Sequence, residues 1–101
     1  MVSVVIRAKN EEKHIGYCLQ SITDYIGKPQ IIIVDNESTD DTIPIVNRFE
    51  YHDVEKISIS KNEYSPGKAL NLGVQRCVEQ YVIIILVIIL TIRSFLLLKK
   101  N

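Results

Sequence analysis

Short runs of β-branched and aliphatic residues alternate along this chain with stretches in which apolar residues recur every three or four positions, and that succession constrains the fold more than any other feature. Val2 to Arg7 is a short β-branched run without alternation and Ile31 to Val34 an apolar one, as expected of strands covered on both faces of a parallel sheet. Ile57 and Ile59 alternate with Ser58 and Ser60, which predicts a third, less buried strand. Tyr81 opens a further run rich in Ile and Val, read as the fourth strand "YVIIIL". Strand, helix and strand in repeated order imply parallel pairing through right-handed crossovers.

The intervening stretches predict the helices. Ile15, Cys18, Leu19, Ile22 and Ile26 lay one apolar stripe on a helix whose first turn is expected to hold Asn10, Glu11 and Glu12 and which Gly27-Lys28-Pro29 should stop. Thr42, Ile45, Val46 and Phe49 repeat the spacing, and Pro44 is tolerated only in a first turn, so this helix should begin close to Asp40 or Asp41. Leu70, Val74, Cys77 and Val78 mark a third helix after the turn "KNEYSPGK".

Composition excludes several function classes. A single domain of 101 residues buries only about two-thirds of its unfolded surface, so there is little spare core. Twelve basic and twelve acidic residues cancel, leaving no electrostatic footprint for nucleic acid or an anionic membrane. Cys18 and Cys77 have neither metal-ligand nor C-x-x-C spacing and read as two reduced cysteines. The N-terminus lacks the basic start and long apolar run of an export signal, so the expected location is cytoplasmic.

In open parallel sheets ligands bind outside the carboxyl ends of the strands. "AKNEE", "DNESTDD" and "SKNEYSPGK" fall at those three ends. Asp35 ends the second strand, where a carboxylate commonly accepts a hydrogen bond from a ribose or base, and the ligand reading is favoured there over a turn-stabilising one. For Asp40 and Asp41 the turn-stabilising role is favoured. The first loop has no glycine and presents Glu11 and Glu12 to a helix N-terminus, which repels phosphate. The charge of a nucleotide diphosphate would then be met by a divalent cation or by Arg7, Lys9 or Lys68. Of these, Lys68 is the best placed, behind Pro66-Gly67 at the start of the third helix.

"VSVVIRAKNEEKHI", "IIIVDNESTDDT" and "SPGKALNLGV", in this order and spacing, resemble the N-terminal half of the glycosyltransferase family 2 nucleotide-sugar-binding domain over about residues 2 to 86. The resemblance implies an α/β fold: a three-layer α/β/α, Rossmann-like (GT-A type) open and mostly parallel sheet, here incomplete. It implies that Asp35 hydrogen-bonds the nucleotide base, with Asn36 and Ser38 beside it. It also implies that the Arg7, Ala8, Asn10 and Glu11 loop lines the nucleoside pocket, and that Lys68 and Asn71 lie in the segment under the nucleotide. Ser38 to Asp41 are then expected to shape their loop and cap the next helix. The activity implied is transfer of a sugar from a nucleotide-diphosphate donor, with Mn or Mg as the divalent cation of the full-length relatives.

The chain departs from that family after the fourth strand. From Val87 it reads "VIILTIRSFLLLKKN", without Asp, Glu or His, so it supplies no metal-ligand cluster and no general base. No catalytic and no metal-ligating residue is therefore assigned. Residues 1–86 are read as the family-like part and 87–101 as an apolar tail, either non-native sequence after a truncation or a membrane-prone segment. Tyr81 to Leu98 is eighteen residues, close to the roughly 20 that span a bilayer, so membrane contact through 81–98 stays open beside the preferred strand. The expected partner is a nucleotide-diphosphate sugar with an unidentified sugar or polysaccharide acceptor, and the fragment alone is expected to be inactive and poorly soluble. The competing reading is a non-enzymatic α/β nucleotide-binding module or a membrane-tethered protein with a C-terminal transmembrane helix.

Overall fold

The structure, a computed structural model, describes residues 2–50, 52–86 and 95–99. Strands β1 (Val2–Ala8), β2 (Gln30–Asp35), β3 (Val54–Ser58), β4 (Tyr81–Leu86) and β5 (Phe95–Lys99) form one sheet in the order β3-β2-β1-β4-β5. The first four run parallel, and β5 lies antiparallel against β4. Helices α1 (Ile15–Tyr25), α2 (Thr42–Val46, continued by a single 3-10 turn over Asn47–Phe49) and α3 (Pro66–Arg76) connect them.

Strands β1 and β2 carry apolar residues on both faces because each face has its own helical cover. Val4, Ile6 and Ala8 of β1 with Ile31 and Ile33 of β2 pack on Ile15, Leu19 and Ile22 of α1 and Val46 of α2. The intervening Val5, Ile32 and Val34 pack on the other side, with Ala69 of α3, Cys77, Val82 and Ile84. The result is the three-layer α/β/α arrangement. On the α3 side the approach is close, since a Cβ added at Gly73 would overlap Val5 Cγ1. A side chain there would have to push the helix off the sheet.

Three local expectations need correction. Helix α1 begins at Ile15, so Asn10, Glu11 and Glu12 precede it and its first turn holds no acid. Their backbone N–H groups are instead taken up by the β2–α2 loop, as described below. Val78 is 79% exposed, because α3 ends at Arg76 and releases it; Ala69 and Gly73 are the buried residues of α3, with Leu70 and Val74 packed partly buried beside them. Finally, Tyr81–Leu86 and Phe95–Lys99 are both strands of the sheet. A single helix over 81–98 is thus not what these residues build, and the outer edge of β4 is paired by β5. Among the described residues no helix is long and apolar enough to cross a membrane. Residues 87–94 of the apolar tail lie outside the described residues.

At the amino ends of the strands a small polar network ties α3 to the sheet. Fully buried Ser3 donates from Oγ to Gln30 Oε1 at 2.5 Å, and the same Oε1 accepts from the Val78 N–H at 3.0 Å. Gln30 Nε2 donates to the Arg76 carbonyl at 3.0 Å, and the Glu79 N–H donates to Ser3 Oγ at 3.2 Å. The carbonyl at the C-terminus of α3 and the amides entering β4 are satisfied in this way by two side chains.

Candidate functional site

The sheet register brings the sequence-predicted residues to one edge. Ala8 pairs with Asp35 and Asp35 with Ser58, so β1, β2 and β3 end in one row. The ladder runs one step further on each side of Asp35, with Asn36 N–H donating to the Ala8 carbonyl and Ile59 N–H to the Asp35 carbonyl, both at 2.9 Å. Asp35 and Asn36 are both buried there, 7% and 8% exposed.

The acid- and hydroxyl-rich segment after β2 clasps the loop after β1. Asn10 N–H donates to Ser38 Oγ at 2.9 Å, Glu11 N–H to Thr42 Oγ1 at 2.8 Å and Glu12 N–H to Asp40 Oδ2 at 3.1 Å. Three consecutive amides thus end on three side chains of the other loop. Thr39 N–H returns the contact to Asn10 Oδ1 at 2.8 Å, and Lys9 Nζ donates to the Glu37 carbonyl at 3.2 Å. Asp35 holds this segment from below, its Oδ2 accepting from Ser38 N–H at 3.0 Å and its Oδ1 from Ser38 Oγ at 2.5 Å. Asp40, the residue before the N-cap Asp41, meets the first amide of α2 through Oδ1, which accepts from Thr42 N–H at 2.9 Å and Thr42 Oγ1 at 2.5 Å. Both loops turn at a left-handed residue that is not glycine, Asn10 (φ 50°) and Glu37 (φ 50°). Asn tolerates this conformation; for Glu it is a stored strain.

An open groove of ≈ 500 Å³ runs between the clasped loops, bounded by residues 10–14 on one side and by Thr39 and Asp40 on the other. Its walls carry Glu11, Glu12 and Asp40 against Lys13 and His14. Burial raises the Glu11 carboxyl above its ordinary value; His14 partly offsets this and Asp40 adds to it. Burial would raise Asp40 too, but the hydrogen bonds from the Thr42 hydroxyl and the Thr42 and Glu12 amides outweigh it and hold that carboxyl low. Burial, with Glu11 nearby, pushes the Cys18 thiol up to about 11, so it is a packing group rather than a nucleophile.

On the α3 side of the edge the electrostatics reverse. The Arg7 guanidinium lies over the Tyr64 ring, 6.0 Å from its centroid, within reach of a cation–π attraction. Ser65 caps α3, its Oγ accepting from Lys68 N–H at 3.1 Å, with Pro66 at the first helical position. Lys68 sits exposed in that first turn, and Asn71, also exposed, lies one turn further along. At helical spacing both fall away from the Ala69–Gly73 face that meets the sheet. The edge therefore brings together Arg7, Ala8, Asn10, Glu11, Asp35, Asn36 and Ser38, with Lys68 beside it at a helix start and Asn71 set apart on the outer face of α3. Sequence reasoning missed Thr42, the acceptor for Glu11, and Tyr64 under Arg7. The Asp40-x-Thr42 spacing, a local side-chain cap, is the signal that could have found the former.

The described residues do not fit a divalent cation. Among them no group of three or more His, Cys, Asp and Glu side chains could hold one, and Asp35 and Asp40 already spend oxygens on Ser38, Thr42 and Glu12.

Helices on both faces of a mostly parallel sheet, with polar loops converging at the strands' carboxyl ends, define an incomplete α/β domain of the GT-A glycosyltransferase type. Residues 3–85 match the family model described as glycosyl transferase family 2, and the chain belongs to that family. Among solved structures it is similar to TarS of S. aureus, residues 1–349, at 25% identity and a TM-score of 0.76, covering 84% of this chain and 26% of that one. It is similar to the mannosyltransferase PcManGT of Pyrobaculum calidifontis, solved with GDP-Man and Mn2+, at 26% identity and a TM-score of 0.70, covering 85% and 27%. The fold is shared as well with glucosyl-3-phosphoglycerate synthase of Mycobacterium tuberculosis, solved with Mn2+, UDP and glucosyl-3-phosphoglycerate, at 24% identity and a TM-score of 0.67, covering 86% and 33%. The chain thus spans about a quarter to a third of the length of these solved chains. No match is found among curated proteins.

Proposed function

We propose that this chain is the nucleotide-sugar-binding part of a glycosyltransferase that moves a sugar from a nucleotide-diphosphate donor to an acceptor hydroxyl. The observation that carries this reading is the meeting of three loops at the carboxyl edge of β1, β2 and β3 within residues that match the family. Asp35 receives the nucleoside. Ser38 occupies one position on each of its carboxylate oxygens, and an ionised carboxylate has about four acceptor positions, so the remaining ones face a base or ribose. The loop from Arg7 to Glu11 lines the nucleoside, and Arg7 and Lys68 meet the diphosphate on the α3 side, away from Glu11 and Glu12. The crystallised relatives that hold UDP or GDP-Man support the ligand class.

Sugar transfer also requires a stabilised leaving group and a base for the acceptor hydroxyl. No residue described here is placed for either task, so the fragment alone binds nucleotide and does not turn over. The expected location is cytoplasmic. Titration calorimetry with uridine diphosphate and guanosine diphosphate tests the binding. One of the two is expected to bind the parent chain, and Asp35→Ala is expected to weaken it by about 1–3 kcal/mol, the cost of leaving a buried partner unmet. Equal affinity in a folded Asp35→Ala variant would remove Asp35 from the nucleoside site.

A further inference from the structure

Arg7 is a cation at an apolar position. Strand alternation sets it on the same face as Val5, the α3 side of β1, and its neighbours in register on β2 and β4 are Val34 and Leu86. Asp35, the acid next along the edge, falls on the opposite face with Ile31 and Ile33 and has Ser38 on both its oxygens. Among the described residues the half-buried Arg7 guanidinium has no hydrogen bond and no ion pair; the one ion pair there joins Arg76 to Glu55. Its contact is the Tyr64 ring, 6.0 Å away at the centroid. A half-buried charge without a counter-charge is costly to keep. The ring face attracts the cation but supplies no lone-pair acceptor, so the five guanidinium N–H donors stay available to a ligand.

Tyr64 is itself held in place. It stands immediately before the N-cap Ser65, whose Oγ accepts from Lys68 N–H and whose carbonyl accepts from Ala69 N–H at 3.0 Å. Its ring packs on the apolar cluster that contains Ala69 and Val5. That is the arrangement of a hydrophobic staple, which fixes the angle at which a chain enters a helix. One turn thus sets both the ring that meets Arg7 and the backbone that carries Lys68. We propose that Tyr64 is a positioning residue for phosphate binding: its ring holds the Arg7 guanidinium on the α3 side, the side of Lys68, before a nucleoside diphosphate arrives. The proposal rests on the reading of Arg7 as a phosphate-binding group given above. An arginine without the ring would have to give up its rotamer freedom on binding, a cost that the ring removes in advance.

Tyr64→Leu keeps an apolar body against the cluster and removes the ring face. It should weaken the nucleoside diphosphate about three- to tenfold, the size of a cation–π contact at a half-buried site, and leave the free nucleoside unchanged. Tyr64→Phe keeps the ring and should bind both as the parent does. Titration calorimetry with uridine diphosphate and guanosine diphosphate, each beside its nucleoside, reads this contrast. Equal losses for diphosphate and nucleoside in Tyr64→Leu would assign Tyr64 to the nucleoside or to the fold of its turn and overturn the proposal. So would a folded Tyr64→Leu variant with parental affinity, or a Tyr64→Phe variant as weak as Tyr64→Leu. Because Tyr64 acts through Arg7, Tyr64→Leu should have no further effect in a chain that already carries Arg7→Leu, and losses that simply add overturn the positioning role. If Arg7→Leu alone binds the diphosphate as the parent does, the proposal falls while the nucleotide reading stands; if the parent binds neither nucleotide, both fall. Relaxation of the Arg7 Nε–H resonance in the ¹⁵N-labelled parent tests the same point without any substitution. The side chain should be as ordered before the diphosphate is added as after, and an Arg7 that is mobile until the ligand arrives overturns the proposal even where Tyr64→Leu does not fold.

Discussion

At the amino ends of the strands, Ser3 and Gln30 give every polar group of their network a partner: the hydroxyl, both ends of the amide, the Arg76 carbonyl and the Val78 and Glu79 N–H groups. At the carboxyl ends, a denser set of hydrogen bonds leaves Asn36 Oδ1 and His14 Nδ1 unmet and holds Glu37 at a left-handed φ. One sheet carries both regions, with a hydroxyl and an amide at the amino ends and carboxylates, amides and hydroxyls at the carboxyl ends. One end is closed because its polar groups serve only the fold, whereas the other is organised and still incomplete, the condition in which a loop can bind something.

The largest effect on stability is expected where the network is complete. Gln30→Leu would leave the buried Ser3 hydroxyl proton without its acceptor and the exposed Val78 N–H and Arg76 carbonyl to water, and is expected to cost about 1–3 kcal/mol, chiefly through Ser3. Thermal or urea denaturation would show it as a lowered midpoint. Nucleotide affinity per folded molecule should not change, because the substitution lies at the opposite end of the strands. A variant that kept its stability while losing affinity would erase the distinction between the two ends.

Much of this division could be read from the sequence. The runs Val4 to Ile6 and Ile31 to Val34 are apolar without alternation, which requires cover on both faces, and that requirement determines the layers and the edge where "AKNEE" and "DNESTDD" meet. What could not be read was the direction of the hydrogen bonds. Glu11 and Glu12 were assigned to the first turn of α1 because acids favour helix N-termini. In the structure their amides are claimed by Thr42 and Asp40, about thirty residues on, and α1 starts later. Pairings at that separation leave no periodic trace. The helical spacing of Leu70 and Val74 marks α3, and both pack against the core, but it does not show that the closest approach to the sheet falls at Ala69 and Gly73, whose small size leaves no hydrophobic signal. Strand β5 is not legible because the apolar residues after the preferred strand at Tyr81 carry neither a turn signal nor a polar alternation, and only pairing with β4 marks Phe95–Lys99 as a strand.

A smaller effect is expected within the clasp. Asp40→Asn keeps an acceptor for Thr42 but presents an amide N–H₂ to the Glu12 N–H, and its site is partly open to water, so about 1 kcal/mol or less should be lost. Its pH dependence is the sharper measurement. The Asp40 carboxyl is held below its ordinary value. Its contribution is therefore complete above the unfolded-state value and disappears as the pH falls through the lowered one. Glu11 works in the opposite sense. Its carboxyl is raised, so its ionisation above the ordinary value costs stability, and acid relieves that cost. Urea midpoints across the acidic range should show the parent losing its advantage over Asp40→Asn as the pH drops. A constant difference between the two would mean that the clasp does not depend on the Asp40 charge.

The smallest effect concerns strain rather than bonding. Glu37 sits at φ 50° with an exposed side chain, and its carbonyl accepts from Lys9 Nζ. A residue with a Cβ loses about 1–2 kcal/mol in the left-handed region, while glycine there costs roughly 0.5–1 kcal/mol in extra backbone entropy. Glu37→Gly removes the first and incurs the second, so it should stabilise the chain by a few tenths of a kcal/mol up to about 1. The hydrogen bond from Lys9 is unaffected, since it ends on backbone. If the strain serves binding by holding Ser38 above Asp35, the stabilised variant should bind nucleotide no better than the parent, and more weakly if the freed loop spends time out of the clasp. A rise in the unfolding midpoint with lower affinity would establish that this edge keeps its strain for the ligand. A fall in the midpoint would show that Glu37 is at ease where it stands, and the contrast with the amino end, where Lys28 is left-handed as well (φ 48°), would then rest on Asn36 and His14 alone.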